Sequence, residues 1–187
     1  PELGTHWYDG RMEDYAPVYR FIRDNARLFD DYVPFEDVGV LLSFANFRRS
    51  QKFYKDIPIT LASRNVPHGI LIAGDEWLDI KLTRDIMKRY HTIIVPEDLL
   101  LDEAQKKLLD QWTMENTIVV WRGKEDFFRM YRSPFRIQGA ENIWMVPRIK
   151  PGDGSAPVVI HLLNRNYMPE NDSYDRCGTF TITIDHA

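Results

Sequence analysis

Residues 90–121 have the sequence YHTIIVPEDLLLDEAQKKLLDQWTMENTIVVW, which predicts a strand, a helix and a second strand in succession. Thr92 to Val95 form a short β-branched apolar run that Pro96 closes, which is typical of a strand buried on both faces of a parallel sheet. Ile118 to Trp121 form the second strand. Because such crossovers are right-handed and join parallel strands, this stretch predicts one βαβ unit.

The helix of this unit is predicted from an apolar stripe at spacings of three and four residues, formed by Leu101, Ala104, Leu108 and Trp112. The opposite face is charged. Asp102 and Gln105 have the spacing of a capping box, in which the side chain of each residue accepts from the backbone N–H of the other. The helix is therefore expected to begin close to Asp102.

Residues 37–73 predict a second βαβ unit. Its first strand is DVGVLLSF, ending at Phe44. A basic, aromatic connection from Ala45 to Lys55 follows, then a short helix from Asp56 to Arg64, and then a strand from Gly69 to Ala73. A further helix near Glu125 to Tyr131 precedes a fifth strand at Asn142–Val146. Strands alternating with helices predict an α/β fold with a flavodoxin-like open parallel sheet flanked by helices.

The two ends of the chain have a different character. Near the amino end, Asp14 is expected to cap a helix that has Pro17 in its first turn and runs to about Tyr32, with an apolar stripe at Tyr15, Val18, Ile22, Ala26 and Phe29. Near the other end, the proline- and glycine-rich residues 147–157 predict a linker. Val158–Leu163 and Thr179–Ile184 then predict a small antiparallel β-hairpin. The predicted regions are 1–34, 35–148 and 149–187.

Composition limits the classes of function. A chain of 187 residues with 44% hydrophobic residues can bury a substantial core, and its net charge of −4 argues against a dedicated nucleic-acid binder. No apolar run approaches the roughly 20 residues that a membrane span needs, so we expect no membrane partner. Cys177 is the single cysteine, which excludes an internal disulfide and a cysteine-based metal cluster within one chain. It leaves the compartment open.

Open α/β sheets bind ligands beyond the carboxyl ends of their strands, so the residues after each strand are the candidates for a site. Carboxylates that accept hydroxyl hydrogens and an indole that stacks on an apolar ring face suit a sugar-sized pocket. Charged residues at helix starts and a packed tryptophan explain the same positions without a ligand. The predicted sugar-binding residues are Asn46, Asp75, Glu76, Trp77, Glu97 and Arg122.

Several kinds of chemistry lack their motifs. No strand leads into G-x-G-x-x-G or a P-loop, so nucleotide binding is disfavoured, and no G-x-S-x-G elbow is present. A catalytic cysteine belongs at a strand-to-helix elbow, yet the position after Trp121 reads Arg122-Gly123-Lys124. The five histidines are scattered without an i,i+4 pair suited to metal. We therefore predict no catalytic residue, no metal and no cofactor.

The order of elements nevertheless resembles a known domain. The runs YAPVYRFIRDNARLFDDYVPFEDVGVLLSF, SRNVPHGILIAGD and YHTIIVPEDLLLDEAQKKLLDQW are similar to the accessory domain that follows the catalytic barrel in some bacterial glycoside hydrolases. That domain is similar to the β-galactosidase trimerisation domain and has the class I glutamine amidotransferase-like fold. The tail PVVIHLLNRNYMPENDSYD resembles the start of the C-terminal β-sandwich of such enzymes.

This resemblance implies that residues 1–34 are the end of an upstream (β/α)8 barrel and its last helix, and that the amidotransferase cysteine and histidine have no match here. The chain is then a non-catalytic accessory or assembly region, whose partners are the catalytic barrel or other subunits. A secreted parent enzyme implies a periplasmic or extracellular location. Two alternatives stay open: an independent glycoside hydrolase that uses the carboxylates Asp75, Glu76 or Glu97, and a stand-alone sugar-binding module.

Overall fold

A computed structural model describes residues 11–50, 54–113 and 117–185 of the chain. These residues form two compact units. The smaller unit contains the described residues up to Val33 together with Arg148–Val159. The larger unit contains Pro34–Pro147 and the described residues from Ile160 onward.

The helices are α1 (Met12–Asp24), α2 (Phe44–Ser50), α3 (Asp56–Ser63), α4 (Arg84–Met87), α5 (Glu103–Thr113) and α6 (Lys124–Met130), with a short 3-10 helix at Ala26–Leu28. The strands are β1 (Val33–Pro34), β2 (Val38–Ser43), β3 (His68–Ala73), β4 (Thr92–Pro96), β5 (Thr117–Trp121), β6 (Phe135–Gln138), β7 (Ile143–Ile149), β8 (Val159–Asn164), β9 (Tyr167–Met168), β10 (Ser173–Tyr174) and β11 (Thr181–Ile184).

The centre of the larger unit is a four-stranded parallel sheet with the order β3-β2-β4-β5. Both predicted βαβ units are confirmed, because β2 pairs with β3 and β4 pairs with β5 in parallel. The inner strands β2 and β4 are buried along almost their whole length, as their Val, Leu and Ile residues require. The edge strand β3 instead alternates, with Ile70 and Ile72 exposed.

Helices cover both faces of this sheet and form two cores. Leu41 and Ile93 face one side, where Met87 of α4 and Leu109 and Trp112 of α5 pack against them. The neighbouring β2 and β4 residues Val38, Val40 and Ile94 face the other side, against α3 and α6. Successive strand residues therefore serve opposite layers, which gives the larger unit an α/β/α arrangement.

The fifth predicted strand does not belong to the parallel sheet. Its residues form β7, in a separate three-stranded sheet with the order β1-β7-β8. Within the larger unit, Asn65 explains the placement, because its side chain donates to Ile143 O (3.0 Å) and accepts from Met145 N (2.7 Å). The predicted linker at 147–157 is shorter than expected, since β7 continues through Ile149.

The predicted hairpin of Val158–Leu163 with Thr179–Ile184 does not form. The second of these segments contains β11, which pairs antiparallel with β6. A different hairpin joins β9 to β10. The sequence indicated strands correctly here, but their partners depend on distant residues that an alternating pattern does not identify.

Two helices also differ from their predictions. Helix α2 contains Phe44, predicted as the end of the strand, and residues 45–50, predicted as part of a connection. On α5, Ala104 is exposed and the buried face is Gln105, Leu109 and Trp112, with Leu101 and Leu108 packed beside it. The prediction is therefore correct for Trp112 and wrong for Ala104, because an apolar pattern does not identify the polar Gln105 as a buried residue.

Tyr32 connects the two chain segments of the smaller unit through hydrogen bonds. Tyr32 is buried; its hydroxyl donates to Pro157 O (3.0 Å), and its carbonyl accepts from the Arg148 guanidinium. Helix α1 begins at Met12, so that Asp14 lies in its first turn rather than at its cap, and Pro17 lies inside it. None of its residues is buried, and Val18, Phe21 and Ile22 of its apolar surface are exposed.

Candidate functional site

A groove of about 780 Å³ opens at the carboxyl end of the parallel sheet. Its walls are the segments that follow β3 and β4 and the first turns of α5. Three predicted site residues, Asp75, Glu76 and Glu97, line it together. The groove also contains the apolar residues Leu99, Leu100 and Leu101 and the charged residues Arg49, Lys81, Asp102, Glu103, Lys106 and Asp110.

Asp75 is the most buried carboxylate of the groove, with only 7% of the residue exposed. Its Oδ1 accepts from the backbone N–H groups of Trp77 (2.9 Å) and Leu78 (3.2 Å), and its Oδ2 accepts from Arg48 Nε (2.9 Å). Burial disfavours the charged form, but the hydrogen bonds from Trp77, Arg48 and Leu78 outweigh it and hold the pKa of Asp75 below its usual value. Asp75 is therefore an anion that holds the loop.

Arg48 connects three of the residues that follow β3. Besides Asp75, its guanidinium contacts the Glu76 carboxylate, and its Cζ lies 5.7 Å from the centroid of the Trp77 ring. Trp77 itself is 74% exposed. Arg48 belongs to α2, which the sequence pattern missed, so its role could not be predicted. The result is a compact group in which one cation orders two carboxylates and one indole.

Glu97 and Arg122 follow β4 and β5 and are both exposed. Glu97 contributes to the groove, whereas Arg122 is absent from its lining. Parallel strands place these residues at one edge of the sheet, as predicted, but β5 lies at the end of the strand order farthest from β3. The structure therefore groups Glu97 with Asp75 and Glu76 and leaves Arg122 apart.

Asn46 is 3% exposed and serves the fold around the groove. Its side chain donates to Tyr54 Oη and to Asp98 O (2.9 Å each) and accepts from Leu100 N (2.6 Å). The Tyr54 hydroxyl in turn donates to the Asp98 carboxylate (2.6 Å). Burial and this carboxylate raise the pKa of Tyr54. With three hydrogen bonds, the Asn46 amide fixes the segment after β4 and has no group directed at a ligand.

Gln105, predicted only as part of a capping box, holds the loop between β3 and α4. It is 3% exposed, and its side chain donates to Gly74 O (3.1 Å) and accepts from Leu82 N (3.3 Å). Both ends of the loop between β3 and α4 are thereby tied to α5. Asp102 caps α5 by accepting from Gln105 N (2.8 Å), which confirms this half of the predicted capping box, whereas the Gln105 side chain donates to the Asp102 carboxylate (2.9 Å). The same cap lowers the pKa of Asp102, and Lys81 assists it.

The connection from β5 to α6 has the sequence Arg122-Gly123-Lys124 and contains no nucleophilic hydroxyl or thiol. Gly123 takes a positive φ of 146° and lies at the N-cap of α6. Cys177 lies far along the chain and is half-buried. Within the described ranges, no group of three His, Cys, Asp or Glu side chains is arranged to hold a metal ion. Among the same residues, no helix has the length and apolar character needed to cross a membrane.

Comparisons with known proteins relate the chain to a part of a glycoside hydrolase. It is 27% identical over 167 residues to an alpha-agarase of Thalassotalea agarivorans and 24% identical over 167 residues to an alpha-agarase of Alteromonas agarilytica. Each alignment covers 86% of this chain but only 11% and 12%, respectively, of the relative. No protein-family model matches the chain, and no solved structure matches it.

Proposed function

We propose that this chain is a non-catalytic accessory module of an agar-degrading glycoside hydrolase. The alignments support this, because alpha-agarases are glycoside hydrolases and the chain spans about a tenth of each relative's length. A module of this size leaves room in those proteins for a separate catalytic domain. A periplasmic or extracellular location belongs to the same proposal.

The observation that carries the proposal is the set of hydrogen bonds that favours the ionised form of Asp75. Glycoside hydrolysis requires two carboxyl groups, one of which is held protonated by a raised pKa so that it can protonate the leaving group. In the groove the most buried carboxylate has the opposite property, because its hydrogen bonds lower its pKa. Its neighbour Glu76 contacts the same arginine. The hydrogen bonds of Asp75 therefore suit it to holding the loop as an anion and do not suit it to protonating a leaving group.

The strand order supports a flavodoxin-like fold for the larger unit. Numbered within the parallel sheet, the strands have the order 2-1-3-4, which is that of the first four strands of a flavodoxin-like sheet. We propose that the sheet derives from the class I amidotransferase-like type and has lost its chemistry. The residues Arg122-Gly123 after β5, in place of a nucleophile elbow, support the loss.

For the smaller unit we propose a role in assembly, in which α1 contacts a partner domain. The exposed Val18, Phe21 and Ile22 of α1 are apolar side chains that a soluble surface seldom keeps together without a partner. We propose the catalytic domain of the same polypeptide as the partner. The short share of each alpha-agarase that the alignments cover supports this choice over an unrelated protein.

The test is turnover by the purified chain. We expect no new reducing ends from agar, no phenol release from aryl galactosides and no ammonia from glutamine, at enzyme concentrations where a glycoside hydrolase would exhaust its substrate. Release of a product that scales with protein concentration would overturn the non-catalytic assignment.

An independent hydrolase is the second candidate, and one observation favours it. Glu76 and Glu97 line the same groove, as a pair of catalytic carboxylates would. If this candidate is correct, Glu76→Gln or Glu97→Gln abolishes any agar hydrolysis by the chain. If the accessory module is correct, there is no hydrolysis for either substitution to remove.

A further inference from the structure

Trp77 is exposed in a position that the rest of its loop is built to maintain. Tryptophan is a large aromatic residue that is usually well buried, yet 74% of Trp77 is accessible to solvent. It follows directly after Asp75 and Glu76, which line the groove. Trp77 itself is absent from the lining of the groove, so the loop presents an indole to solvent next to two of the carboxylates that line it.

The loop that carries Trp77 is fixed from several sides. Asp75 Oδ1 accepts from the Trp77 N–H (2.9 Å), and Gly74 N donates to Ile80 O (2.8 Å). At Gly74, a Cβ would lie 1.9 Å from Leu78 O, so any other residue would force the turn apart. Gln105 holds Gly74 and Leu82, the two ends of the loop. Ligand binding here would order few additional groups, which keeps its entropic cost low.

Arg48 fixes the indole ring as well as the backbone. Its guanidinium lies over the ring, 5.7 Å from the centroid, and is itself held by Asp75 and Glu76. A cation in this position is attracted to the π-system and restricts the ring's rotation. Most of the ring surface stays in solvent despite this contact. The structure thus orders an aromatic surface without covering it.

The surroundings of the ring distinguish between possible partners. The centres of protein–protein interfaces are depleted of Lys, Glu and Asp, whereas the groove beside Trp77 contains Glu76, Lys81, Glu97 and Asp102. Sugar rings instead need an aromatic face for their C–H surface and charged or polar side chains for their hydroxyl groups. From this combination we infer that Trp77 and the groove form a binding site for a neutral oligosaccharide, with the pyranose ring stacked on the indole.

In this site Glu76 and Glu97 accept hydrogen bonds from sugar hydroxyls, and Lys81 donates to hydroxyl oxygens. The site itself rests on the geometry described above, and only the choice of galactose as the sugar rests on the proposed function. The inference adds a ligand class to the accessory module and requires no bond to be broken.

The experiment is calorimetric titration of the purified chain with a neutral galactan hexasaccharide. We expect saturable binding, which Trp77→Ala weakens by about tenfold, or about 1.4 kcal/mol. Trp77→Phe retains part of the affinity because it keeps an aromatic face. Tyr174→Ala removes an aromatic residue that is 61% exposed on β10 and leaves the affinity unchanged. Thermal unfolding of each variant checks that the fold is intact.

Two results would overturn the inference. One is absence of binding at millimolar hexasaccharide, and the other is binding that Trp77→Ala leaves unchanged. If the hexasaccharide fails to bind but Trp77→Ala abolishes self-association in sedimentation, the indole is a protein contact and the sugar site is refuted. Because these are binding results, they leave the non-catalytic proposal standing, which only product formation contradicts.

Discussion

Two buried polar side chains, Asp75 and Gln105, determine the shape of the groove. Asp75 accepts from two backbone N–H groups of the loop between β3 and α4, and Gln105 bonds to a carbonyl and an N–H of the buried residues Gly74 and Leu82. Removing such a buried polar residue leaves its hydrogen-bond partners unpaired. An unpaired buried donor or acceptor lowers the free energy of unfolding by more than the hydrogen bond itself raises it. Both residues can therefore be tested by substitution.

Replacing Gln105 by leucine is expected to lower the free energy of unfolding by about 2–4 kcal/mol, because Gly74 O and Leu82 N lose their partner at similar side-chain volume. Urea denaturation measures the change. The matched control is Gln111→Leu at an exposed position of α5, for which we expect a change below about 0.5 kcal/mol. Equal effects of the two substitutions would show that Gln105 does not hold the loop.

The lowered pKa of Asp75 predicts a pH dependence of stability. An aspartate titrates near pH 3.9 in the unfolded chain and at lower pH in the fold, so its contribution is fully present above about pH 5 and is lost as the pH falls through the folded pKa. The stability advantage of the native chain over Asp75→Asn should therefore be constant near neutrality and shrink in acid. Arg48→Met should shift this loss to higher pH. If the difference in free energy of unfolding between the native chain and Asp75→Asn does not vary with pH, the pKa of Asp75 is not lowered in the fold.

Local sequence predicted most of the helices and strands, but it did not always predict which strands pair with each other. The runs HTIIVP and DVGVLLSF are apolar on both sides, so their burial inside a parallel sheet followed from composition. Helix α2 was missed because FANFRRS spans only two turns and combines aromatic with basic residues. The position of β7 outside the parallel sheet could not be predicted from local sequence. Asn65, which bonds to Ile143 and Met145 of β7, lies 78 and 80 residues before them in the chain.

Asn65 offers a test of that connection. It has a positive φ of 55° and supplies both hydrogen bonds to β7. Asn65→Ala should lower the free energy of unfolding by about 2–4 kcal/mol, because it leaves buried groups unpaired and places alanine in a left-handed conformation. Asn65→Gly loses the same hydrogen bonds without the backbone strain, so it should be milder by about 0.5–1 kcal/mol. Thermal unfolding that ranks glycine below alanine would contradict this explanation.

At the scale of the whole molecule, the candidate site was predictable in part. Asp75, Glu76 and Glu97 follow strands β3 and β4 directly, and parallel strands bring their carboxyl ends to one edge, so their grouping followed from topology. Arg48 and the loop-holding contacts of Gln105 could not be predicted, because both residues lie within helices, α2 and α5, whereas the topology of the sheet points to the residues immediately after each strand. They change the interpretation of the site, since they turn two candidate acids into parts of a rigid loop.

We propose that the chain accompanies glycoside hydrolysis without performing it. The most direct measurement is the mass spectrum of a neutral galactan hexasaccharide after prolonged incubation with the purified chain at a concentration that saturates any binding. We predict that the hexasaccharide is recovered intact by the native chain and by the Glu76→Gln, Glu97→Gln double variant alike. Shorter oligosaccharides that appear with the native chain and are absent with the double variant would contradict the account.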